Sequence, residues 1–434
     1  MRWSAAALML LMSAPAMAQP VPLTLEQAIA EGLANSRRLA EIEARVEGAD
    51  YAVAGRRAAD RPLVAAQGGY TRTNHVDAFS ITFPARPPQV VYPDIPDNFR
   101  ARLDLQWPIY TGGRADALER AARAERGAIG KDLDAARADL RLEITRAYWA
   151  AITAADAESV LQRSLAAVDA HVSDVRARLA SGLIPPNDVS SAEAQAAHQR
   201  LLAVEAANQR SVAEADLARL TGRDTATAAA PAAEASAPGD AQTPVAELVT
   251  LAIASRAERQ ALQERRSAAD ARAAAVAAGA RPQVALGGGY DYARPNPRIF
   301  PRSGDWKSSW DASVNVTWTL WDGGRRAAEH GEARAAATAL TARVDDFDRQ
   351  VTFDVRARAL DVASAREGVT AAAEGIRAAA DAERAVGERY RAGVATSTEV
   401  LDAQVARLQA ELDRARATAA LRLAEARLER AVGR

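Results

Sequence analysis

The sequence predicts a mixed membrane fold: long coiled-coil α-helices joined to β-strands that cross a bilayer as parts of a barrel, with one helix-strand-strand-helix-helix unit written twice. Three observations carry that expectation. WPIYTGGR, from Trp107 to Arg114, returns as WTLWDGGR, from Trp318 to Arg325. Fourteen of the twenty-one aromatic residues fall in two short windows, Pro62 to Tyr110 and Pro282 to Trp321. Outside those windows the chain is rich in Ala and Arg, which suits extended helices better than one thick core.

Residues 1–18, MRWSAAALMLLMSAPAMA, read as an export signal, with Arg2, an apolar stretch and an Ala16-Met17-Ala18 cleavage box. No other run approaches the roughly 18 to 20 apolar residues that a spanning helix needs, which excludes a helical membrane protein. The chain has no cysteine, so disulfides, thiolate metal sites and a lipid-bearing cysteine are excluded. A formal net charge of -1 argues against nucleic acid as a partner.

Fixed offsets define the duplication. Gly112 and Gly113 are answered by Gly323 and Gly324, Gly182 by Gly393 and Gly222 by Gly433, always 211 positions later. Upstream, Arg61-Pro62 and Gly68-Gly69-Tyr70 are answered by Arg281-Pro282 and Gly288-Gly289-Tyr290 at an offset of 220. The difference falls between Pro62 and Trp107, where FPARPPQVVYPDIP marks a longer loop in the first copy. The copies are residues 19–222 and 245–434, joined by a low-complexity linker over 223–244.

Each copy begins with a helix. Thr24 caps the first, residues 24–60, whose apolar positions include Leu25, Ile29, Leu33, Ile42, Val46 and Val53; its counterpart is 245–280. Strands at about 63–73 and 283–293 follow, and their shared Gly-Gly-Tyr permits tight bending or close backbone approach. The next strands, at about 99–110 and 306–321, alternate strictly. Phe99, Leu103, Leu105, Trp107 and Ile109 alternate with Arg100, Arg102, Asp104 and Gln106 in the first copy. In the second, Trp306, Trp310, Val314, Val316, Trp318 and Leu320 alternate with Lys307, Asp311, Asn315 and Thr317. Period two over ten residues gives one oily face and one wet face.

Helices at 113–181 and 324–392 come next, each about 69 residues or roughly 100 Å long. In the second, Val355, Val362, Val369 and Ile376 keep a spacing of seven, the pattern of coiled coils. Gly182 and Gly393 stand where a left-handed helix C-terminus is expected, and helices at 187–221 and 397–433 return. The first and last helices of a copy together match the long one in length. Laid end to end along it, they form a helical rod with a strand hairpin at one end and a helical turn at the other.

Two hairpins give four strands per chain, each long enough to cross an outer-membrane hydrocarbon layer, for which about 9 to 11 residues suffice. Four strands cannot close, and an open edge in lipid leaves unpaired backbone groups, so several chains must pool their strands. Aromatic belts at the membrane interfaces then account for Trp107, Tyr110, Trp306, Trp310, Trp318 and Trp321. Gly-Gly-Arg marks the exit, where glycines let a strand turn into a helix and a charge meets water.

At this point the residues resemble the TolC family of outer-membrane efflux proteins. The similarity rests on the TLEQAI opening, both GGR junctions, the tips GLIPPNDVSSAEAQ and GVATSTEVLDAQ, and Leu220-Thr221-Gly222, in this order. The resemblance implies a mixed membrane β-barrel and long α-helical coiled-coil barrel: a homotrimer with four strands per protomer in a 12-stranded barrel. It implies a place in the outer membrane of a Gram-negative bacterium, extending into the periplasm. The role implied is a passive exit duct for small compounds that docks with a periplasmic adaptor (a membrane fusion protein) and an inner-membrane efflux transporter.

The resemblance also implies a periplasmic gate. In STEVLDA, Glu399 and Asp402 take the acidic positions, three apart on one helical face, with Glu where Asp is usual at the first. Tyr390 matches the closing tyrosine and Asp188 its acidic partner, while Ala395 stands where an arginine commonly follows the tip glycine. The tips themselves, Gly182 and Leu183 with Gly393 and Val394, are the implied adaptor docking points. Without the resemblance, Thr396 and Glu399 read as a capping box and Asp188 as a capping residue.

No nucleotide-binding glycine loop opens a helix after a strand, and His75, His171, His198 and His330 are scattered without a ligand partner at metal spacing. Neither an enzyme nor a cofactor is called for. Competing readings are the exit duct of a type I protein secretion system, a periplasmic adaptor, and a structural coiled-coil spacer of the envelope. An adaptor would carry one helical hairpin where this chain has two, and a spacer would not need the strands.

Overall fold

The computed structural model describes residues 23–223 and 243–434. The export signal read at 1–18 and the linker, apart from its ends, lie outside the described residues. The elements run α1 (Leu25–Asn35), α2 (Arg37–Ala58), β1 (Leu63–Arg72), β2 (Phe79–Ile81), β3 (Gln89–Tyr92), β4 (Asp97–Tyr110), α3 (Arg114–Ala180), α4 (Pro186–Thr221), α5 (Val245–Ser255), α6 (Ala257–Ala278), β5 (Gln283–Arg294), β6 (Lys307–Thr317), α7 (Arg325–Arg391) and α8 (Ser397–Val432). They fall into two compact units. One takes the chain up to Leu39, Ala136–Arg256 and Val351–Arg434; the other takes Ala40–Ala135 and Ala257–Gln350.

The second unit contains an antiparallel sheet in the order β1-β4-β5-β6. Its register lines Ala66, Leu103, Tyr290 and Trp310 in one row and Gln67, Arg102, Asp291 and Ser309 in the next. Because successive residues point to opposite faces, this alternation of rows leaves one face oily and the other polar. Val64, Leu105, Val314 and Val316 stand exposed on the oily face. β1 and β6 are the edge strands.

Two details depart from the sequence reading. β6 stops at Thr317, short of Trp321, because it is opposed by Gln283 there, and the preceding Pro282 has no N–H with which to extend the ladder. The Trp318 indole donates to the Ala280 carbonyl just past α6 (3.0 Å), as the Trp107 indole donates to the Asp60 carbonyl just past α2 (3.1 Å). The long loop of the first copy also holds a ladder of its own, β2 with β3.

The repeated Gly-Gly explains itself here. Gly112, Gly113, Gly323 and Gly324 have φ of 70°, 86°, 69° and 89°, a left-handed pair between strand and long helix that a side chain would strain. The next residue, Arg114 or Arg325, is the first of α3 or α7.

In the first unit the expected single opening helix is two, broken at Ser36 in the first copy and at Arg256 in the second. Periodicity runs on through both breaks, so it does not reveal them. Their cause is tertiary. Asn35 Nδ2 donates to the Thr221 carbonyl (2.8 Å) and the Ser255 hydroxyl donates to the Val432 carbonyl (2.6 Å), so each break grips the C-terminus of the returning helix. Those carbonyls have no partner inside their own helix. Ser36 in turn accepts from the Leu39 N–H (3.3 Å), restarting the helix as an N-cap does.

The core of this unit is small and aliphatic. Ile144, Tyr148, Leu217 and Val432 are buried. Further along α3, Val168 and Val172 pack with Ala192, Ala196 and Leu401, and Val160 and Leu161 with Ala206 and Leu408, joining α3, α4 and α8. On α7 the seven-residue stripe begins buried, at Val355 and Val362, and is half-buried at Val369 and Ile376. No helix among the described residues is long and apolar enough to cross a membrane.

Ile144 touches the space that a Cβ on Gly32 would fill, at 2.4 Å from its Cδ1. Ile144→Ala therefore opens a cavity in a site with little room to collapse, and is expected to cost about 2–5 kcal/mol. Leu183→Ala, at an exposed position, should stay within about 0.5 kcal/mol. Thermal unfolding followed by far-UV circular dichroism checks the contrast, and equal melting temperatures would contradict it.

Candidate gate and membrane belts

Both hairpin tips close in the same way. After α3, the Gly182 N–H donates to the Leu179 carbonyl (2.9 Å) and the Leu183 N–H to the Arg178 carbonyl (2.9 Å). After α7, the Gly393 N–H donates to the Tyr390 carbonyl (3.1 Å) and the Val394 N–H to the Arg389 carbonyl (2.8 Å). This pair of bonds satisfies the carbonyls at a helix end and needs a left-handed residue, here glycine. Leu183 and Val394 are carried outward, 73% and 67% exposed.

The helices that follow start differently. Pro185 and Pro186 open α4 with no side-chain cap, and Asp188 sits in its first turn with its N–H on the Pro185 carbonyl (3.2 Å). Asp188 is thus not the capping residue; its charge faces the helix dipole. At α8, the Thr396 hydroxyl accepts from the Glu399 N–H (3.3 Å), but the return bond that would complete a capping box is not made. The Glu399 carboxylate accepts instead from the Thr396 hydroxyl (3.4 Å) and lies 3.7 Å from Arg389. Asp402 is exposed.

Tyr390 is buried, with the Arg178 guanidinium 4.2 Å from its ring centroid and the His171 ring 5.4 Å away. Its hydroxyl has no hydrogen-bond partner of ordinary geometry among the described residues, so none joins it to Asp188. Burial raises the tyrosine pKa; Arg178 opposes this, and the Asp174 and Asp188 carboxylates reinforce it. Glu399 and Asp402 stand on α8, outside this packed group.

His171 is the member that sequence reasoning missed. It is buried, and its Nε2 lies 2.8 Å from the hydroxyl of Ser397, a buried residue at the start of α8. Burial lowers its pKa, with Asp174 opposing and Arg178 reinforcing. His171 and Arg178 are seven apart on α3 and so share a helix face, while Tyr390 and Ser397 come from α7 and α8 on either side of the second tip. Among the described residues no group of His, Asp and Glu is placed to hold a metal.

On the sheet, Tyr70 and Phe99 lie 4.9 Å apart between ring centroids, Phe99 and Trp306 5.9 Å, and Trp306 stacks on Tyr292 at 4.9 Å. This aromatic row crosses the strands at one end. Trp107, Tyr110, Trp318 and Trp321 gather at the other strand ends, and Trp321 is 86% exposed. Phe99 and Trp107 are about 26 Å apart along the strand, or roughly 20 Å after the usual barrel tilt. Trp310 stands between the two rows, exposed on the oily face.

The profile of the outer membrane efflux protein family matches residues 28–223 and 248–434. Comparison with curated proteins finds no match. Solved structures share the fold. A membrane protein from Pseudomonas aeruginosa is 22% identical with a TM-score of 0.78, covering 94% of this chain and 93% of its own. The outer membrane protein VceC from Vibrio cholerae is 20% identical with a TM-score of 0.77, covering 94% and 96%. The open state of the Neisseria gonorrhoeae MtrE outer membrane channel is 20% identical with a TM-score of 0.75, covering 94% and 88%. With nearly the whole described chain matched by the family profile, and an open-edged oily sheet joined to long helices, this protein belongs to the outer membrane efflux protein family, whose members are passive channels and not enzymes.

Proposed function

We propose that three copies of this chain pool their strands into one 12-stranded outer-membrane barrel and form the exit duct of a tripartite efflux system. The observation that carries this reading is the sheet: four strands with an oily face and two open edges, β1 and β6. Its partners are a periplasmic adaptor, received at the exposed tips around Gly182, Leu183, Gly393 and Val394, and an inner-membrane transporter that supplies the energy. The cargo is small compounds carried across the periplasm and outer membrane.

Glu399 and Asp402 form the gate in this reading. Grouped about a threefold axis, six carboxylates repel one another and attract cations, as acidic rings in pores do. The solved open state of a channel with the same fold supports a gate that moves. Replacing both residues by Ala is expected to raise single-channel conductance in planar bilayers several-fold and to weaken cation preference. An unchanged conductance removes both from the gate, and a purified chain that forms no channel removes the duct.

Assembly has its own test. Phe353 and Leu360, seven apart on α7, are 76% and 71% exposed in the single chain. Covering each by a neighbouring copy contributes about 1.5–3 kcal/mol. Phe353→Asp with Leu360→Asp should shift the protein from trimer to monomer in light scattering in detergent; an undisturbed trimer places the contact elsewhere.

The tip should weaken in acid. Because burial favours neutral His171, an opened tip takes up a proton that the packed tip refuses once pH falls below the ordinary value of 6.5. His171's contribution is full above that value and is lost progressively as pH falls from it toward the lowered value of the packed tip. Hydrogen exchange at the tips should quicken between pH 7 and pH 5 in the native chain and lose much of that dependence in His171→Gln, after correction for intrinsic exchange. Equal profiles contradict this.

A further inference from the structure

The polar face of the sheet carries a charge network that neither the gate nor the belts use. Asp291 of β5 is 2% exposed and accepts from Arg100 Nε at 2.6 Å and from Arg102 Nη1. Arg102 Nε also donates to Asp104 (2.6 Å), and its Nη1 lies 3.2 Å from Asp311 of β6. Arg298, from the loop after β5, pairs with Asp311 at 2.9 Å. Three carboxylates therefore hold three arginines. Arg102 can lie flat across β5 because Gly289 faces it: a Cβ there would stand 2.2 Å from Arg102 Nη2. The glycine run in the strand thus makes way for a guanidinium.

Beside this balanced network lies a recess of about 310 Å³, whose walls include Gln67, Thr71, Asn98, Arg100, Arg102 and Arg302. Among the described residues no carboxylate lines it. Of the described residues lining the recess, Arg302 is the arginine outside that network. Its guanidinium lies 4.7 Å from the Tyr92 ring centroid and donates from Nη1 to the Tyr92 hydroxyl (2.5 Å), yet it has no carboxylate partner among the described residues. Its Nε is buried without a hydrogen-bond partner. Gln67 and Thr71 likewise make no side-chain hydrogen bond among the described residues, leaving an amide and a hydroxyl free to donate.

We infer that this recess binds a soluble oxyanion of the phosphate or carboxylate class, held by Arg302 and Arg100 with Gln67 and Thr71 as further donors. Guanidinium forks match the oxygens of such groups, and Tyr92 holds Arg302 in place before the ligand arrives. Polar rows face the interior of a pooled barrel, so the site lies in the lumen and serves compounds that carry an anionic group. That placement rests on the proposed duct; binding itself does not.

Isothermal titration of the detergent-solubilised full chain with inorganic phosphate, in a low-chloride buffer, tests the site. The expected result is saturable binding, weakened at least about tenfold in Arg302→Gln, since a hydrogen bond to a charged group contributes on the order of 1.5–3 kcal/mol. Arg100→Gln should weaken it too, and Arg200→Gln, on an exposed face of α4, should leave it unchanged. No binding by the native chain, or equal binding by Arg302→Gln, overturns the inference. Conductance across a planar bilayer is read separately. Phosphate bound by a protein that forms no channel supports the site and overturns the duct, whereas a conducting protein that binds no phosphate overturns the site alone.

Discussion

The outer edges of β1 and β6 are the constraint on which the rest of this structure depends. An antiparallel sheet of four strands has two rows of backbone groups with no strand partner among the described residues of its own chain. In water these groups are solvated, but in hydrocarbon each costs several kcal/mol. The exposed Val64, Leu103, Trp310 and Val316 commit one face of the sheet to an apolar surround, so the edges must be paired by something other than water. Membership of an outer-membrane family places the sheet in that surround.

Duplication answers part of the same need by supplying two hairpins in place of one, and the two copies keep their geometry where backbone groups must be satisfied. Trp107 and Trp318 cap equivalent carbonyls through equivalent indoles. Asn35 and Ser255, although different residues, both reach the last carbonyls of a returning helix. The tips share their pair of terminal bonds. The copies diverge in side-chain chemistry at the helix starts, Pro185 against Thr396, and on the charged face of the sheet. There Arg102 of the first copy holds Asp291 and Asp311 of the second, so the copies are complementary and not interchangeable.

The tip cluster shows the same division of labour. Glu399 and Asp402 were singled out only through the resemblance; from the residues alone Glu399 reads as part of a capping box with Thr396. Tyr390 was legible only through the resemblance, and its packing under Arg178 and against His171 was not legible at all. Tyr390 stands on α7, more than two hundred residues from His171 and Arg178 on α3, and no local rule joins it to them.

By itself, the sequence determined the elements whose cause is local. Period two set the strands and their faces, helical periodicity set the long helices, and paired glycines at fixed offsets set the exits and tips, since each follows from bonds and sterics within a few residues. The tertiary structure decided the rest: the helix breaks at Ser36 and Arg256, the early end of β6, the burial of His171, and the recess around Arg302. Each of these is set by a partner distant in the chain that claims a carbonyl, a proton or a charge, and only the folded chain brings that partner within reach.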